Sequence, residues 1–391
     1  MKRYAYIGSL GFLGIITTEF GVIGILPELA TYYGISLEKA GVLLSAFALV
    51  IALTGPAMTL LTAKFDRKKI MLLSLFTFLI TGVVSTLSPP FWLLLLVRVL
   101  PAFLQPVYIA SALTVAVSRG NKSNENELMS IVFSGVTLAM VTTVPFATYI
   151  ASMYTWQYSF AIQGLISFIA LAAVYFGLPS LPVTERKSFG SQLGILKKPI
   201  FVVSILMNFF MISAWFSVYS YFAAYLSDAK GMNQQMVSYM MFVFGLVGVF
   251  STILSGKMLN KHIPRTSFLF LLGTILVPIL LGISGGNNAV TIFVIAVWGF
   301  LYAPSFLNAS TYMISAVPHA MEFANSLATS FGNLGVSVGT TVGGMVIAHY
   351  GIAYTPWLTL AFGLLALVMM ALRHLLEKKK VAVAPVACSF E

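Results

Sequence analysis

The chain has 391 residues, of which 59% are apolar and only 8% are charged, and its formal net charge is +11. A soluble domain carries about 25% charged residues, so this composition cannot cover a water-facing surface and indicates a protein of the lipid bilayer. The apolar runs are long and continuous, which argues against a β-barrel with its alternating segments of about ten residues. They predict helices, and the length allows about twelve spans of ~20 residues.

Twelve apolar runs follow one another along the chain, with boundaries uncertain by several residues. We predict spans at 5–29, 40–62, 70–88, 91–116, 128–150, 157–178, 199–226, 235–256, 266–284, 289–316, 323–349 and 356–374. Met1, Lys2 and Arg3 precede the first run as in a signal peptide, but no convincing small-residue cleavage site follows. We therefore predict an uncleaved first helix.

The basic residues fall almost entirely on one side of these spans. That side carries Lys2, Arg3, Lys64, Arg67, Lys68, Lys69, Arg119, Lys122, Arg186, Lys187, Lys197, Lys198, Lys257, Lys261, Arg265, Arg373 and Lys378 to Lys380. Only Lys39 and Lys230 fall in loops on the other side. This asymmetry follows the positive-inside rule and predicts an even number of spans with both termini in the cytoplasm. Topology thus accounts for the net charge, and we predict no nucleic-acid partner.

Residues 179–198 form the longest polar stretch between two apolar runs, and they are rich in prolines, serines and charged residues, as an inter-domain linker is. This stretch divides the chain into an N-terminal six-helix bundle at 1–178, a cytoplasmic linker at 179–198, a C-terminal six-helix bundle at 199–378 and a cytoplasmic tail at 379–391. The halves echo each other, because TTV recurs in the fifth and eleventh spans and TLLTAKFDRK (59–68) aligns with GKMLNKHIPR (256–265). Paired halves with a site between them are typical of secondary transporters.

Five stretches resemble the motifs of a known family. They are TTEFGVIGILPELA (17–30), TAKFDRKKIML after the second span, RVLPAFLQPVYIAS in the fourth, SGVTLAMVTTVPFATYIASMYTWQ in the fifth and NLGVSVGTTVGG (333–344) in the eleventh. On these stretches the chain resembles the major facilitator superfamily, in particular bacterial twelve-span drug:proton antiporters of the sugar-efflux and purine-nucleoside-efflux group. The resemblance implies an all-α membrane fold of two pseudo-symmetric six-helix bundles.

The loop after the second span resembles the signature loop of this superfamily. Its basic residues match at Lys64, Arg67 and Lys68, whereas the signature aspartate falls on Ala63. Asp66 is the acid nearest to that position. The resemblance implies a conformational loop formed by these basic residues, in which Asp66 replaces the usual acidic latch from a shifted position.

Glu19 is the sole acid in the interior of a predicted span. It lies about ten residues from the cytoplasmic end, ~15 Å deep and near the bilayer midplane. An ionised side chain there costs at least ~2.5–3.5 kcal/mol, so an acid at this depth suggests a function. A carboxylate that exchanges a proton as a cavity opens to each side can couple transport to a proton gradient. Alternatively, Glu19 is a neutral acid that only fixes helix packing through a hydrogen bond.

Arg98 lies several residues inside the fourth span. The resemblance aligns it with the intramembrane arginine of the family, whose charge would modulate proton release from Glu19. The alternatives are an arginine that extends its charge to the interface or one tied to backbone carbonyls. The sequence does not show whether the two side chains meet.

Polar and aromatic residues inside the spans share helical faces and mark a candidate substrate cavity. The candidates are Gln105, Tyr108, Asn208, Trp215, Tyr219, Phe222, Trp298, Tyr302, Ser305, Asn308 and Asn333, and the resemblance of VYSYFAAYL to a cavity-lining segment adds Tyr221. A buried amide must find a partner in protein or water. The alternative for each residue is an interhelical hydrogen bond or an interfacial aromatic belt.

Prolines and glycines in the spans indicate where helices bend or approach closely. We predict kinks at Pro101, Pro106, Pro145, Pro278 and Pro304. We predict close helix packing at Gly335, Gly339, Gly343 and Gly344.

We therefore predict a proton-coupled secondary transporter that exports a small neutral or amphipathic molecule, of drug, sugar or nucleoside type, across the inner membrane of a bacterium. A proton symporter or facilitator that imports a nutrient is the alternative, and a receptor without transport is a third. The sequence has no P-loop, HExxH motif or paired catalytic acids, which disfavours an enzyme. We expect no metal or other cofactor, and a monomer whose partners are lipid, substrate and protons. Cys388, the only cysteine, excludes an intrachain disulfide.

Overall fold

The computed structural model describes residues 2–62, 64–118, 125–181, 190–284, 288–317 and 321–383. Within these ranges the regular structure is helical and no strand occurs. Twelve of the described helices are long and apolar enough to cross a membrane. We call them spans 1 to 12, and they extend over Lys2–Tyr33, Leu37–Thr62, Arg67–Thr86, Phe91–Val117, Glu127–Met153, Gln157–Gly177, Pro199–Tyr219, Gln234–Lys261, Ile263–Gly282, Ala289–Ile314, Phe323–Tyr350 and Ile352–Lys378.

The predicted all-helical architecture with twelve spans is confirmed, and each span overlaps the run predicted for it. The physical reason is that a backbone inside lipid finds no water, so a long apolar run satisfies its N–H and C=O groups as a helix. Arg119, Lys122, Arg186, Lys187 and Cys388 lie outside the described residues, as do 182–189 of the linker and 384–391 of the tail. The division into two bundles stays a prediction.

Apart from residues 178–198 between spans 6 and 7, the connections between successive spans are short, so neighbouring spans of each half cross in opposite directions. Gly344 of span 11 lies beside Glu38 of span 2, so Lys2 and Lys378 lie at the same face of the bundle. We call this the terminal face and the opposite one the distal face. In the N-terminal half, span 1 packs against spans 4, 5 and 6, and span 3 packs against span 6. In the C-terminal half, span 7 packs against spans 10, 11 and 12. The halves meet where span 2 packs against span 11 and span 5 against span 8.

Spans 1, 4 and 10 and the segment that ends span 7 are broken, and these four hold corresponding places in the two halves. The helical pieces are Lys2–Phe20 and Leu26–Tyr33 in span 1, Phe91–Val99 and Gln105–Val117 in span 4, Pro199–Tyr219 and Phe222–Ala224 at span 7, and Asn288–Tyr302 and Ser305–Ile314 in span 10. Breaks in a spanning helix free backbone groups, which is tolerated where the break faces protein or a cavity.

Four of the five predicted kinks coincide with irregular backbone. Pro101 lies in the 3₁₀ turn of span 4 and Pro106 is the second residue of the helix that follows, while Pro304 lies in the break of span 10. Pro145 is the second residue after a π-helical turn of span 5. Pro278 instead lies inside the continuous helix Ile263–Ile283, which is not broken at this predicted kink.

The glycines of span 11 allow it to lie directly on span 7. A Cβ atom at Gly339 would lie 2.5 Å from the Ser213 carbonyl oxygen, and one at Gly343 would lie 2.5 Å from the Ser217 carbonyl oxygen. Such distances are far below van der Waals contact, so a side chain at either position would push the helices apart. The predicted close packing at these glycines is therefore present.

The two halves touch in the distal part of the bundle. Gln234 of span 8 donates a hydrogen bond from Nε2 to the Gly24 carbonyl oxygen of span 1 at 3.0 Å. The rings of Tyr149 in span 5 and Tyr239 in span 8 lie 5.9 Å apart, centroid to centroid. These contacts join the halves beyond the middle of the bundle, so the structure is closed toward the distal face.

Candidate functional site

The predicted acid Glu19 occupies the last turn of the first helix of span 1, and its side chain is only 3% exposed. Its Oε2 atom accepts a hydrogen bond from Nε2 of Gln105 at 2.6 Å. Gln105 begins the second helix of span 4, so both partners lie beside a helix break. The breaks of spans 1 and 4 thus bring two of the predicted residues into direct contact.

Arg98 is fully buried on span 4, at the end of the helix that precedes the break. Its Nη2 donates to the Thr18 carbonyl oxygen at 3.0 Å, and its guanidinium carbon lies 5.6 Å from the Phe160 ring centroid. Neither of the ion pairs formed by the described residues joins Arg98 to Glu19. Arg98 therefore contacts the backbone of span 1 beside Glu19, at the Thr18 carbonyl. The carboxylate of Glu19 itself is hydrogen-bonded by the neutral amide of Gln105.

Gln163 of span 6 lies at the same site and was missed by the sequence analysis. It is fully buried, and a Cβ atom at Gly21 would lie 2.9 Å from its Nε2 atom. Its Nε2 donates to Ser159 Oγ at 3.3 Å, while its Oε1 has no hydrogen-bond partner among the described residues. An amide within an apolar run was the available signal, because the same signal singled out Gln105.

Two further contacts hold span 1 in place below the acid, on the terminal side. Tyr108, a predicted cavity residue, donates a hydrogen bond from its hydroxyl to the Gly8 carbonyl oxygen at 3.2 Å. The hydroxyls of Thr17 and Thr143 are hydrogen-bonded, which ties span 1 to the π-helical turn of span 5. Tyr108 therefore acts in this structure as a tie between spans 1 and 4.

Five of the six predicted aromatic residues of the C-terminal half form one largely buried cluster. The aromatic cluster consists of Trp215, Tyr219, Phe222, Phe244, Trp298, Tyr302 and Phe306. The closest pair is Trp215 and Tyr302, with ring centroids 4.0 Å apart in an edge-to-face arrangement. Phe244 and Phe306 were missed, because a phenylalanine in an apolar run does not reveal whether it faces lipid or the interior.

Three hydrogen-bond donors inside the aromatic cluster have no acceptor among the described residues. They are Nε1 of Trp215, Nε1 of Trp298 and the hydroxyl of Tyr302, and all three side chains are at most 4% exposed. A buried donor without a partner costs ~1–3 kcal/mol. The cluster therefore combines aromatic faces with donors that an acceptor-bearing molecule would satisfy.

The predicted amides Asn208, Asn308 and Asn333, together with Ser305, make interhelical or local hydrogen bonds. Asn208 Nδ2 donates to the Ala328 carbonyl oxygen at 3.0 Å, and Asn308 Nδ2 donates to Ser255 Oγ at 3.0 Å. Ser305 Oγ lies 3.4 Å from Thr274 Oγ1, and Asn333 Nδ2 donates to the Thr329 carbonyl oxygen of its own helix at 3.0 Å. Of these, only Asn308 has a side-chain atom, Oδ1, that is both buried and without a partner in the described part of the chain.

Tyr221 lies apart from the aromatic cluster, between the two halves. Its hydroxyl donates to the Thr340 carbonyl oxygen at 2.9 Å. A Cβ atom at Gly41 of span 2 would lie 2.2 Å from that hydroxyl, and one at Gly344 would lie 2.5 Å from it. The side chain therefore packs between spans 2, 7 and 11 and contributes to the contact between the halves near the distal face.

Two phenylalanine rings connect the residue beside the acid to the aromatic cluster across the boundary between the halves. Phe20, which follows Glu19 in the chain, stacks on Phe216 of span 7 with ring centroids 5.7 Å apart. Phe216 in turn lies 5.1 Å from Trp215 and 6.0 Å from Phe306, again between centroids. A continuous aromatic contact thus leads from the residue beside the acid into the cluster.

The residues of the predicted conformational loop make their contacts with the end of span 6. Asp66 caps the first helix turn of span 3 by accepting from the Lys69 amide at 3.0 Å, and it accepts from Ser180 Oγ at 2.5 Å. Burial alone would raise the pKa of Asp66, but these hydrogen bonds outweigh it and lower the pKa below its ordinary value. Lys68 lies over the Tyr175 ring, and Lys64 lies over the ring of Phe65. Asp66 therefore connects two segments of the same half.

Arg373 of span 12 forms a second buried arginine site, near the terminal face, that the sequence analysis treated only as a topological charge. It is 5% exposed, and it donates to Glu377 at 2.8 Å, to Ser204 Oγ at 3.1 Å, to Ser315 Oγ at 2.9 Å and to the Tyr312 carbonyl oxygen. It thereby ties the terminal ends of spans 7, 10 and 12 together, and the last turn of the span 10 helix gains a cation at its C-terminus, which is favourable.

The twelve spans, their broken helices and the buried polar site define a membrane transporter, not an enzyme. The chain matches the family model of the Major Facilitator Superfamily over residues 8–340, and it belongs to that family.

Known proteins of similar sequence are bacterial transporters. The "Probable sugar efflux transporter" of Pasteurella multocida (strain Pm70) is 26% identical over 374 residues, which are 95% of this chain and 92% of the relative. The protein of the same name in Helicobacter pylori (strain P12) is 27% identical over 365 residues, 93% of each chain. Among solved structures, the D-xylose-proton symporter superimposes with a TM-score of 0.77 at 16% identity, covering 94% of this chain and 96% of that one. This last likeness concerns the fold alone.

Proposed function

We propose that this protein is a proton-coupled exporter of a small neutral or amphipathic molecule, with a sugar favoured over a nucleoside or a drug. It would work by alternating access across the inner membrane of a bacterium. The observation that carries the proposal is the buried pair of Glu19 and Gln105, in which a neutral amide is the one hydrogen-bond partner of the interior carboxylate within the described part of the chain.

Proton coupling follows from the chemistry of this pair. A carboxylate held by an arginine in a direct ion pair would be locked in its charged form, because an opposite charge favours ionisation. Glu19 has no such pair with Arg98, and Gln105 can serve both protonation states, since an amide both donates and accepts hydrogen bonds. The free Oε1 atom of Gln105 is the acceptor that a protonated Glu19 would require. Gln105 can therefore hydrogen-bond to Glu19 in both its ionised and its protonated form.

The substrate class follows from the aromatic cluster. Its unpartnered indole and phenol donors suit a molecule rich in oxygen acceptors, and its ring faces suit a flat or ring-shaped one. Sugars and nucleosides meet both conditions. The names of the relatives in Pasteurella and Helicobacter favour the sugar.

Two observations support the proposed direction of transport and the orientation in the membrane. The relatives are named efflux transporters, whereas the D-xylose-proton symporter shares the fold, so import by symport is the second candidate. The terminal face carries exposed basic residues such as Lys64, Lys257 and Lys261, which by the positive-inside rule makes it the cytoplasmic face. One proton entering across 100 mV releases ~2.3 kcal/mol, enough to support a ~40-fold gradient of a neutral substrate.

The test uses the full-length protein in inverted vesicles with an imposed pH gradient and a panel of labelled sugars, nucleosides and drugs. With an acidic lumen, an exporter that exchanges protons for substrate accumulates substrate in the lumen, whereas a proton symporter does not. We expect Glu19→Gln to lose this accumulation and to keep downhill exchange of substrate, because the amide cannot take up a proton.

Asp228→Asn is the matched control, since Asp228 is an exposed acid in the turn Tyr225–Ala229 that follows span 7. We expect it to keep gradient-driven accumulation. Normal accumulation by Glu19→Gln, or equal loss in both variants, would remove Glu19 from the coupling mechanism.

A further inference from the structure

A groove on the outer surface of the N-terminal half lies between spans 3 and 6, far from the polar site. Its volume is about 450 Å³, and its lining includes Leu72, Leu73 and Phe76 of span 3. Span 6 contributes side chains that include Phe168, Tyr175 and Phe176. Five of these six side chains are exposed, up to 81% for Phe176, and Leu72 is half-buried. In a chain that crosses the bilayer, such an apolar surface faces lipid acyl chains.

The terminal end of this groove carries two lysines. Lys68 and Lys69 lie one helical turn before Leu72 and Leu73, so they share a face with the span 3 wall of the groove. Lys68 Nζ lies 5.6 Å from the centroid of the Tyr175 ring, which is itself part of the lining. Positive charge is thus placed directly at the groove entrance.

Neither lysine is neutralised within the described part of the chain. No ion pair involves Lys68 or Lys69 there, and the neighbouring Asp66 carboxylate accepts hydrogen bonds from the Lys69 amide and Ser180 Oγ instead. An apolar groove that ends in two unneutralised cations is complementary to a molecule with an apolar chain and an anionic head.

We infer that this groove binds one anionic phospholipid, with an acyl chain along the groove and its phosphate against Lys68 and Lys69. The dimensions agree with this occupant. The helix rises ~12 Å from Lys68 to Phe76, which is less than the ~15 Å that one leaflet of a ~30 Å hydrocarbon core provides. A second copy of the chain is a poorer fit. A stable protein interface buries about 800 Å² of surface on each partner, and the surface of this groove is far smaller than that area.

The test measures lipid retention by native mass spectrometry of the full-length protein, offered equal amounts of phosphatidylglycerol and phosphatidylethanolamine. Each lysine near an anionic headgroup contributes ~1 kcal/mol, or about 5-fold in affinity. We therefore expect the double variant Lys68→Gln with Lys69→Gln to reduce the preference for phosphatidylglycerol by about 30-fold.

The matched control is Lys257→Gln with Lys261→Gln, which removes two exposed charges from the terminal end of span 8, away from the groove. It should keep the preference. If both double variants lose the preference equally, or if neither does, the proposed site is wrong.

A second variant tests the groove without touching the lysines. Ala172 lies in its lining, so Ala172→Trp fills the space that the acyl chain would occupy. We expect it to retain less phosphatidylglycerol while eluting from size exclusion as the wild type does. Unchanged lipid retention, or a change in oligomeric state with unchanged lipid, would overturn the inference.

Discussion

At the scale of single residues, the hydroxyls of Tyr302 and Tyr108 offer a direct comparison. Both are fully buried, but the Tyr302 hydroxyl has no partner among the described residues, whereas the Tyr108 hydroxyl donates to the Gly8 carbonyl oxygen. A buried hydroxyl without a partner lowers stability, and one with a partner raises it. The two positions therefore predict opposite consequences for the same chemical change.

We expect Tyr302→Phe to weaken substrate binding by up to about tenfold, because one hydrogen bond contributes ~0.5–1.5 kcal/mol, and to leave or raise the melting temperature. Tyr108→Phe should lower the melting temperature and leave binding unchanged. Substrate titration and thermal unfolding in detergent check both. Equal binding losses in the two variants would contradict a substrate role for the Tyr302 hydroxyl.

The sequence identified Glu19 and Gln105 as separate candidates but could not pair them. Their contact depends on where spans 1 and 4 break, and the break in span 1 begins at Gly21 and is followed by a helix with Pro27 in its first turn. Gln163 was missed although Ser159 and Ser167, four residues to either side, share its face of span 6. Single polar residues inside an apolar run are therefore visible, while their mutual distances require the folded chain.

At the scale of elements, the spans themselves followed from the sequence because lipid leaves a long apolar run few alternatives to a helix. The proline signal was also informative, since irregular backbone occurs at Pro101, Pro106, Pro145 and Pro304. Pro278 shows its limit, because a helix can absorb a proline by a small bend without a break. The sequence does not show which side of each helix faces lipid and which faces the protein interior, and Phe244 was missed for this reason.

The packing of span 11 on span 7 gives a prediction at this scale. Gly339→Ala should lower the free energy of unfolding by ~1–3 kcal/mol, because its Cβ would lie 2.5 Å from the Ser213 carbonyl oxygen and force the helices apart. Gly256→Ala is the control, since a Cβ there meets nothing within 4 Å inside the helix of span 8. It should raise stability by ~0.5–1 kcal/mol. Thermal or denaturant unfolding measures both, and a similar change in the two variants would contradict the packing described.

At the scale of the whole molecule, the contacts between the halves in the distal part imply a state that must open during a transport cycle. Alternating access requires that a face closed in one state be open in another. The pair formed by Tyr149 and Tyr239 lies in this closure and joins spans 5 and 8. It is a natural position at which to hold the halves together.

We expect Tyr149→Cys with Tyr239→Cys, in a Cys388→Ser background, to be blocked in transport by a short bifunctional thiol reagent. Each single cysteine variant treated with the same reagent should keep transport, and a reducible reagent should allow recovery on reduction. Transport by the cross-linked double variant would mean that spans 5 and 8 need not separate. The flux assay in inverted vesicles provides the measurement.

The stacking of Phe20 on Phe216 joins the residue beside the proposed proton site to the half that holds the proposed substrate site. Glu19 and Phe20 share one planar peptide unit, so a rotation of the backbone that moves the carboxyl group also moves the ring against the opposite half. In the proposed mechanism, a backbone change at the proton site would then reach the aromatic cluster through the rings of Phe20 and Phe216.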